Sequence, residues 1–537
     1  MSATDVPTTD ETEAPEPTAE QRASAEQRIM ADRRAKLDAM AAAGGEPWPY
    51  AAKPDAHVAD VVAAHSGLED GAETDSRYVL AGRMMLRRGQ GKLIFAQLAD
   101  RSGTLQLFVS KSVIGDEGFD AFDDLDLGDW IEVSGTAMKS RRGELSLKVD
   151  SARLLAKCIR PLPEKFHGLV DEEQRRGRRY LDLVANRDSL DTFVLRSRAT
   201  SAIRRFLEDR DYLEVETPVL QPQYGGAAAR PFVTHHNELD MQLYLRIATE
   251  LYLKRLIVGG MERVFEIGPN FRNEGVSFKH NPEFTMIELY QAYADYGDMM
   301  DLLEQLVPHV AQATLGTTTI EHEEHGAIEL AAPWPRITLR DAILERSGAD
   351  IDAATDDELR ATLHEAGYDP KGEATRGKLV DALLSHFVEP KLIQPTFLTD
   401  YPVELSPFAR THAGNDRVVR RFEAFVAGFE IANAFSEIND PKMQHDRFME
   451  QHDARAAGDD EAEQLDEDYI HALEYGMPPT GGLGMGIDRF LMLLTGRKSI
   501  RDVILFPARR SAQASAHLRG AASVTAELSE ADPTAAS

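Results

Sequence analysis

The chain changes character at Arg160-Pro161-Leu162-Pro163, and this break constrains its possible folds more than any other feature. Proline fixes φ and removes a backbone donor, so two prolines this close together end both helices and central strands. Ahead of the break, apolar and polar residues alternate in short runs between Tyr78 and Ala156. Tyr78–Arg88, Lys92–Asp100 and Thr104–Ser110 come first, with Gly89, Gly91 and Ser102-Gly103 as turn residues. A more helical piece follows near Phe119–Leu125. Trp130–Lys139 and Leu145–Leu155 complete the block, joined by Arg141-Arg142-Gly143.

Five strands with a helix between the third and fourth predict an OB-fold barrel, whose exposed face binds oligonucleotides. Beyond the break the elements are mixed. Ser197–Asp209 has a helical pattern, and Arg263–Ile267 and Phe284–Leu289 have strand patterns. Gly, Asp and Pro between Gly348 and Gly377 surround two further helical runs, Asp356–Ala366 and Leu379–Phe387. With 537 residues the chain is too long for one ordinary core. The expected organisation is a tail and N-terminal helix over 1–72, a barrel over 73–156, a linker over 157–178 and a second domain over 179–510. That second domain carries a helical insertion at about 340–390, and a tail spans 511–537. Within the first segment, residues up to about 25 read as disordered and Gln27–Ala42 as helical.

The formal charge of −30 argues by itself against a polyanionic partner. Its distribution argues the other way. From Ala81 to Lys111, Arg83, Arg87, Arg88, Lys92, Arg101 and Lys111 oppose the single acid Asp100, whereas Asp459–Asp468 holds seven acids. Phe95 and Phe108 lie among those bases. Aromatic faces stack on unpaired bases, but both rings also suit a barrel core, and the pattern leaves the two readings open. No apolar run is long enough to span a membrane. A single cysteine, Cys158, rules out an internal disulfide and fits a reducing cytoplasm.

The chemistry-bearing residues lie in the second block. Phe271-Arg272-Asn273-Glu274-Gly275 is followed by a loop through His280-Asn281-Pro282-Glu283-Phe284, then Thr285-Met286-Ile287-Glu288-Leu289-Tyr290. This reads as strand, loop, strand, with Glu288 and Tyr290 on one side of the second strand. Gly481-Gly482-Leu483-Gly484-Met485-Gly486-Ile487-Asp488-Arg489 reads as a glycine-rich turn leading into an apolar helix. With the Phe193–Asp209 helix and Tyr212–Pro218, these stretches resemble the three signature motifs of class II aminoacyl-tRNA synthetases. Arg246–Arg255 and Asn433-Ala434-Phe435-Ser436-Glu437-Ile438-Asn439-Asp440 resemble lysyl-tRNA synthetases of bacterial type in particular. The resemblance runs from about Tyr78 to Pro507.

It implies an α+β chain: an N-terminal OB-fold β-barrel, then a class II synthetase catalytic domain built on an antiparallel β-sheet flanked by helices. It implies a homodimer paired through the first motif, with no membrane association. The implied activity joins L-lysine to tRNA(Lys) with ATP. Arg272 and Arg489 would grip the phosphates as catalytic residues. Glu274, His280 and Phe284 would complete the ATP site, with Phe284 against adenine and His280 at the outer phosphates. Glu250 and Glu437, with Tyr290, would hold the substrate's terminal ammonium, and Phe435 would lie on the same strand face as Asn433 and Glu437. Glu288 and the backbone at Gly226 would meet the α-amino group, and Arg272 and Asn433 the α-carboxylate. A hairpin turning at Gly428 would bring Glu423 and Glu430 together for Mg²⁺, a hard cation that prefers oxygen ligands. On the barrel, Phe95 and Phe108 would stack on a U-rich anticodon, with Arg83, Gln106 and Glu144 as polar readers. One departure is Thr249, where bacterial members carry proline; threonine is expected to cap the helix that follows.

Other readings make different demands. A lysyl transferase to lipid would carry membrane helices, and one to protein would lack the barrel. A non-catalytic scaffold would show damage in the arginine or carboxylate set. An aspartyl or asparaginyl enzyme would share the barrel and motifs but need a different pocket.

Overall fold

The structure, a computed structural model, describes residues 19–163, 169, 171–370, 375–456 and 464–509. Residues 1–18 of the expected N-terminal disorder, the tail over 511–537, linker residues 164–168, and the acids Asp459, Asp460, Glu461 and Glu463 lie outside the described residues. The expectation of disorder up to about residue 25 is corrected from Ala19 onward, where a helix (α1, Ala19–Ala42) begins. Its Ala, Gln, Glu and Arg residues all favour helix, and no Gly or Pro interrupts them. The chain divides into two compact units, Met1–Gly168 and Leu169–Ser537.

In the first unit a short helix (α2, Val58–His65) precedes β1 (Glu73–Gln90), β2 (Leu93–Ala99) and β3 (Thr104–Ser110). Helix α3 (Lys111–Asp123) then leads to β4 (Trp130–Lys139) and β5 (Leu145–Ala156). The strands close into a barrel of order β1-β2-β3-β5-β4, with β3 and β5 parallel. Alternation fills the interior with Leu80, Ile94, Leu98, Leu107, Val133 and Leu147, and Phe119 and Phe122 of α3 join that core. The first hairpin turns at Gly91-Lys92; Gly89, expected in the turn, is a strand residue opposite Ile94.

The second unit is built on a nine-stranded sheet. In spatial order the main strands are Arg336–Thr338, Thr396–Pro402, Asn415–Val426, Phe429–Ser436, Thr480–Gly486, Glu283–Ala292, Arg263–Phe271 and Leu213–Glu214. The six inner strands are antiparallel, and the two edge pairings are parallel. One face carries Phe265, Ile287, Leu289, Phe422, Ala434 and Leu483 against the Arg187–Glu208, Tyr296–Leu315 and Ile487–Thr495 helices. On the other face Val264, Tyr290 and Ala292 pack with Leu251 and Leu253 of the Glu250–Val258 helix and Tyr469 of the Glu467–Glu474 helix. The insertion forms its own cluster, with Leu339, Ile343, Leu359, Leu363 and Leu379 packed toward Leu398 and Val419. Among the described residues no helix is long and apolar enough to cross a membrane.

Candidate active site and nucleic-acid face

The third motif, expected as a glycine-rich turn, is a central strand, Thr480–Gly486, and the helix starts at Ile487. Glycine disfavours strands, so propensity alone misleads here. Space explains it: a Cβ on Gly482 would overlap Glu437 Oε1 and the Tyr290 ring. The bare strand lets those side chains lie across it.

Glu250 is the first residue of its helix, and Glu437 follows the Phe429–Ser436 strand directly. Both are buried, and both contact one ammonium, that of Lys254. Lys254 lies one helical turn beyond Glu250, with Nζ 2.5 Å from Glu250 Oε1. Gly226 closes the wall with a positive φ of 89°; a Cβ there would sit 2.9 Å from Glu250 Cβ. Burial, with Lys254 opposing it, pushes the Glu250 and Glu437 carboxyls up.

Glu288 and Tyr290 project from the Glu283–Ala292 strand onto this same face, while Ile287 and Leu289 face the core. Burial and then the neighbouring Glu250 push the Glu288 carboxyl up to about 7. Its Oε1 accepts from the Thr249 backbone N–H at 3.2 Å and from Asn270 Nδ2 at 3.4 Å. The expected threonine cap is not made: Thr249 has α-region dihedrals and its hydroxyl bonds no helix N–H. Its contribution is the backbone N–H, a donor that proline lacks.

Arg272 follows the Arg263–Phe271 strand, with its guanidinium over the Phe284 ring at 5.2 Å. Its buried Nε has no hydrogen-bond partner among the described residues. Glu274 is exposed in the loop beyond. Arg489 donates to Glu430 Oε2 at 3.0 Å and meets His280 Nε2 at 3.3 Å. The other nitrogen of His280 lies 2.8 Å from Ser277 Oγ, and burial and Arg489 push the imidazole down to about 4. His280 is therefore a neutral group steadying Arg489 rather than a free cation.

The hairpin turns at Ala427-Gly428, where both φ values are positive, as a type I′ turn requires. A bulge at Ala424/Phe425 shifts the register, so Glu423 faces Asn433 and Glu430 faces Phe425. The two glutamates remain close enough that Glu430 helps push Glu423, after burial, up to about 7. Carboxylate oxygens are the donors a divalent cation takes, although here Glu423 accepts from Arg421 and the Tyr401 hydroxyl and Glu430 accepts from Arg489. The described residues hold no cluster of three or more His, Cys, Asp or Glu suited to a metal, so further ligands would come from phosphate. Arg421, which the sequence reading passed over, links this pair to the rest. It donates to Asn433 Oδ1 at 3.0 Å and Glu423 Oε1 at 2.5 Å. That bond turns the Asn433 amide N–H₂ away from Arg421 and leaves it as a donor.

On the barrel, Phe95 and Phe108 are opposite each other on β2 and β3, rings edge-to-face at 5.5 Å. They belong to the outer face; Ile94, Ala96, Leu107 and Val109 fill the core. The same row continues to Arg88 on β1 and Lys148 on β5. Gln106 donates to Ser146 Oγ at 2.8 Å, and Glu144 is exposed before β5. Arg83 is not in that row: it donates to the Gly128 carbonyl at 2.8 Å and covers Trp130.

A family model described as tRNA synthetases class II (D, K and N) matches residues 171–510. The chain belongs to the class II tRNA synthetases. A second model, an OB-fold nucleic acid binding domain, matches residues 78–155 of the synthetase. A lysine–tRNA ligase of Halalkalibacterium halodurans is 54% identical over 443 residues, covering 82% of this synthetase and 88% of the relative. One of Bacillus subtilis is 52% identical over 454 residues, covering 84% and 91%. One of Clostridium perfringens is 52% identical over 435 residues, covering 80% and 87%.

Proposed function

We propose that this synthetase is a lysine–tRNA ligase, with the catalytic machinery in 179–510 and anticodon reading in 73–156. The observation that carries the reading is the convergence of buried Glu250 and Glu437 beside Tyr290, in a chain similar to a lysine–tRNA ligase over 82% of its length. A buried carboxylate pair favours a cationic side chain and disfavours an aspartate.

Lysine's α-carboxylate, held by Arg272 and the Asn433 amide, attacks the α-phosphorus of ATP. The bond to the bridging oxygen breaks and pyrophosphate leaves. Glu288 accepts from the α-ammonium beside the Gly226 backbone. Phe284 stacks on adenine, and Arg272 and Arg489 offset phosphate charge, with His280 positioning Arg489 and Glu274 completing the loop. Glu423 and Glu430 would hold Mg²⁺, which when bound adds charge neutralisation on the triphosphate. The terminal ribose hydroxyl of tRNA(Lys) then attacks the adenylate carbonyl, and AMP leaves. Catalysis here is orientation and electrostatics, with no protein nucleophile.

On the barrel, Phe95 and Phe108 stack on anticodon bases, with Gln106, Glu144 and Arg83 around them. The homodimer is supported by the short edge strand Leu213–Glu214, whose Leu213 is 52% exposed. A free Cys158 is consistent with a cytoplasmic location. ATP–pyrophosphate exchange tests the assignment: exchange with lysine and not with aspartate or asparagine is expected. Exchange supported by aspartate or asparagine alone would overturn it.

A further inference from the structure

Lys254 is fully buried, a costly place for an ammonium unless it is paired. It touches both carboxylates proposed to receive the substrate's terminal ammonium. Four rings enclose it: Phe408 at 5.0 Å, Phe435 at 5.4 Å, Tyr290 at 5.8 Å and Tyr469 at 6.0 Å. Neither oxygen of Glu437 accepts a well-directed hydrogen bond among the described residues, although its carboxylate meets the ammonium. Two carboxyl groups share one internal cation, so the pair carries one negative charge in excess when both are ionised.

We propose that Lys254 is a specificity-determining positioning residue: its ammonium keeps Glu250 and Glu437 converging and opposes the protonation that burial favours, so that the pair accepts a single incoming cation. The proposal rests on the lysine-ligase reading. Without Lys254, two adjacent buried carboxylates would share a proton, since like charges this close do not both ionise. Lysine would then have to displace that proton. The other groups facing the pair are Glu288 and Tyr290 from the strand and Tyr469 from the Glu467–Glu474 helix, with Arg255 beyond the Tyr469 ring. Of these, Glu288 titrates within the assay range, so the pH series is also run on a Glu288→Gln background, where the change in ratio should persist.

The experiment is lysine-dependent pyrophosphate exchange on the full chain from pH 6 to 9. If the wild type fails to exchange with lysine, the function reading itself falls. If it exchanges, Lys254→Met should raise the KM for lysine roughly tenfold at pH 6 and leave that for ATP within about twofold. The ratio of variant to wild-type KM should fall as the pH rises. Adding Glu437→Gln should flatten that ratio, because no second carboxylate is left to share a proton. A pH-independent ratio in Lys254→Met, or equal rises for lysine and ATP, would overturn the proposal. Should Lys254→Met not fold, Lys254→Arg decides. Its larger cation should keep the ratio flat while raising the KM for lysine, and a wild-type KM would refute the positioning role.

Discussion

Burial and then the neighbouring Glu250 raise the pKa of Glu288, the Thr249 N–H opposes them, and the balance leaves the carboxyl near pH 7. Its folded value lies above the ordinary 4.5, so folding favours the protonated form. The stability this contributes is present below about pH 4.5 and is lost as pH rises through about 7. Urea midpoints of the unliganded protein should decline across that window, and less so in Glu288→Gln. Lysine binding follows the opposite sign, because the α-ammonium needs the carboxylate charged. The wild-type KM for lysine should fall as pH rises from 6 to 8, and Glu288→Gln should abolish that slope; a slope that survives would remove Glu288 from the amino-group contact. Residue types and their order were legible in the sequence here, but environments were not. Glu250 and Lys254 look like an ordinary exposed i,i+4 pair until burial under four rings is seen. Thr249 suggested a side-chain cap, and its peptide N–H proved to be the useful group.

Among the elements, the strand–loop–strand around Arg272 and the hairpin at Gly428 were readable because alternation and turn residues are local signals. The glycine-rich strand was not, because its composition answers to side chains from neighbouring strands. That makes Gly482→Ala a test of the element. Overpacking costs about 1–3 kcal/mol, so lysine-dependent kcat/KM should fall about ten- to hundredfold, with a smaller change in the KM for ATP. Wild-type kinetics would mean that Glu437 and Tyr290 do not need the bare strand. The bulge at Ala424/Phe425 was likewise hidden, since one extra residue shifts a register without changing composition.

For the whole molecule, the −30 total conceals a barrel row in which Arg88, Phe95, Phe108 and Lys148 follow one another across four strands. The sequence left the two phenylalanines undecided between core and surface, and pairing register decides it. Replacing both with alanine should raise the KM for tRNA roughly tenfold to hundredfold, at the 1–3 kcal/mol typical of base stacking, while amino-acid-dependent pyrophosphate exchange stays unchanged. A parallel loss of exchange would mean that the two units do not divide the work in this way. The internal ammonium of the second unit has a consequence for fidelity. An amino acid ending in a methyl group would strand an uncompensated carboxylate in a dry cavity, a mismatch that forfeits far more than a missing methylene does. On the proposed reading, apolar impostors of lysine's length would be turned away on entry, and shorter cations would be sorted by reach.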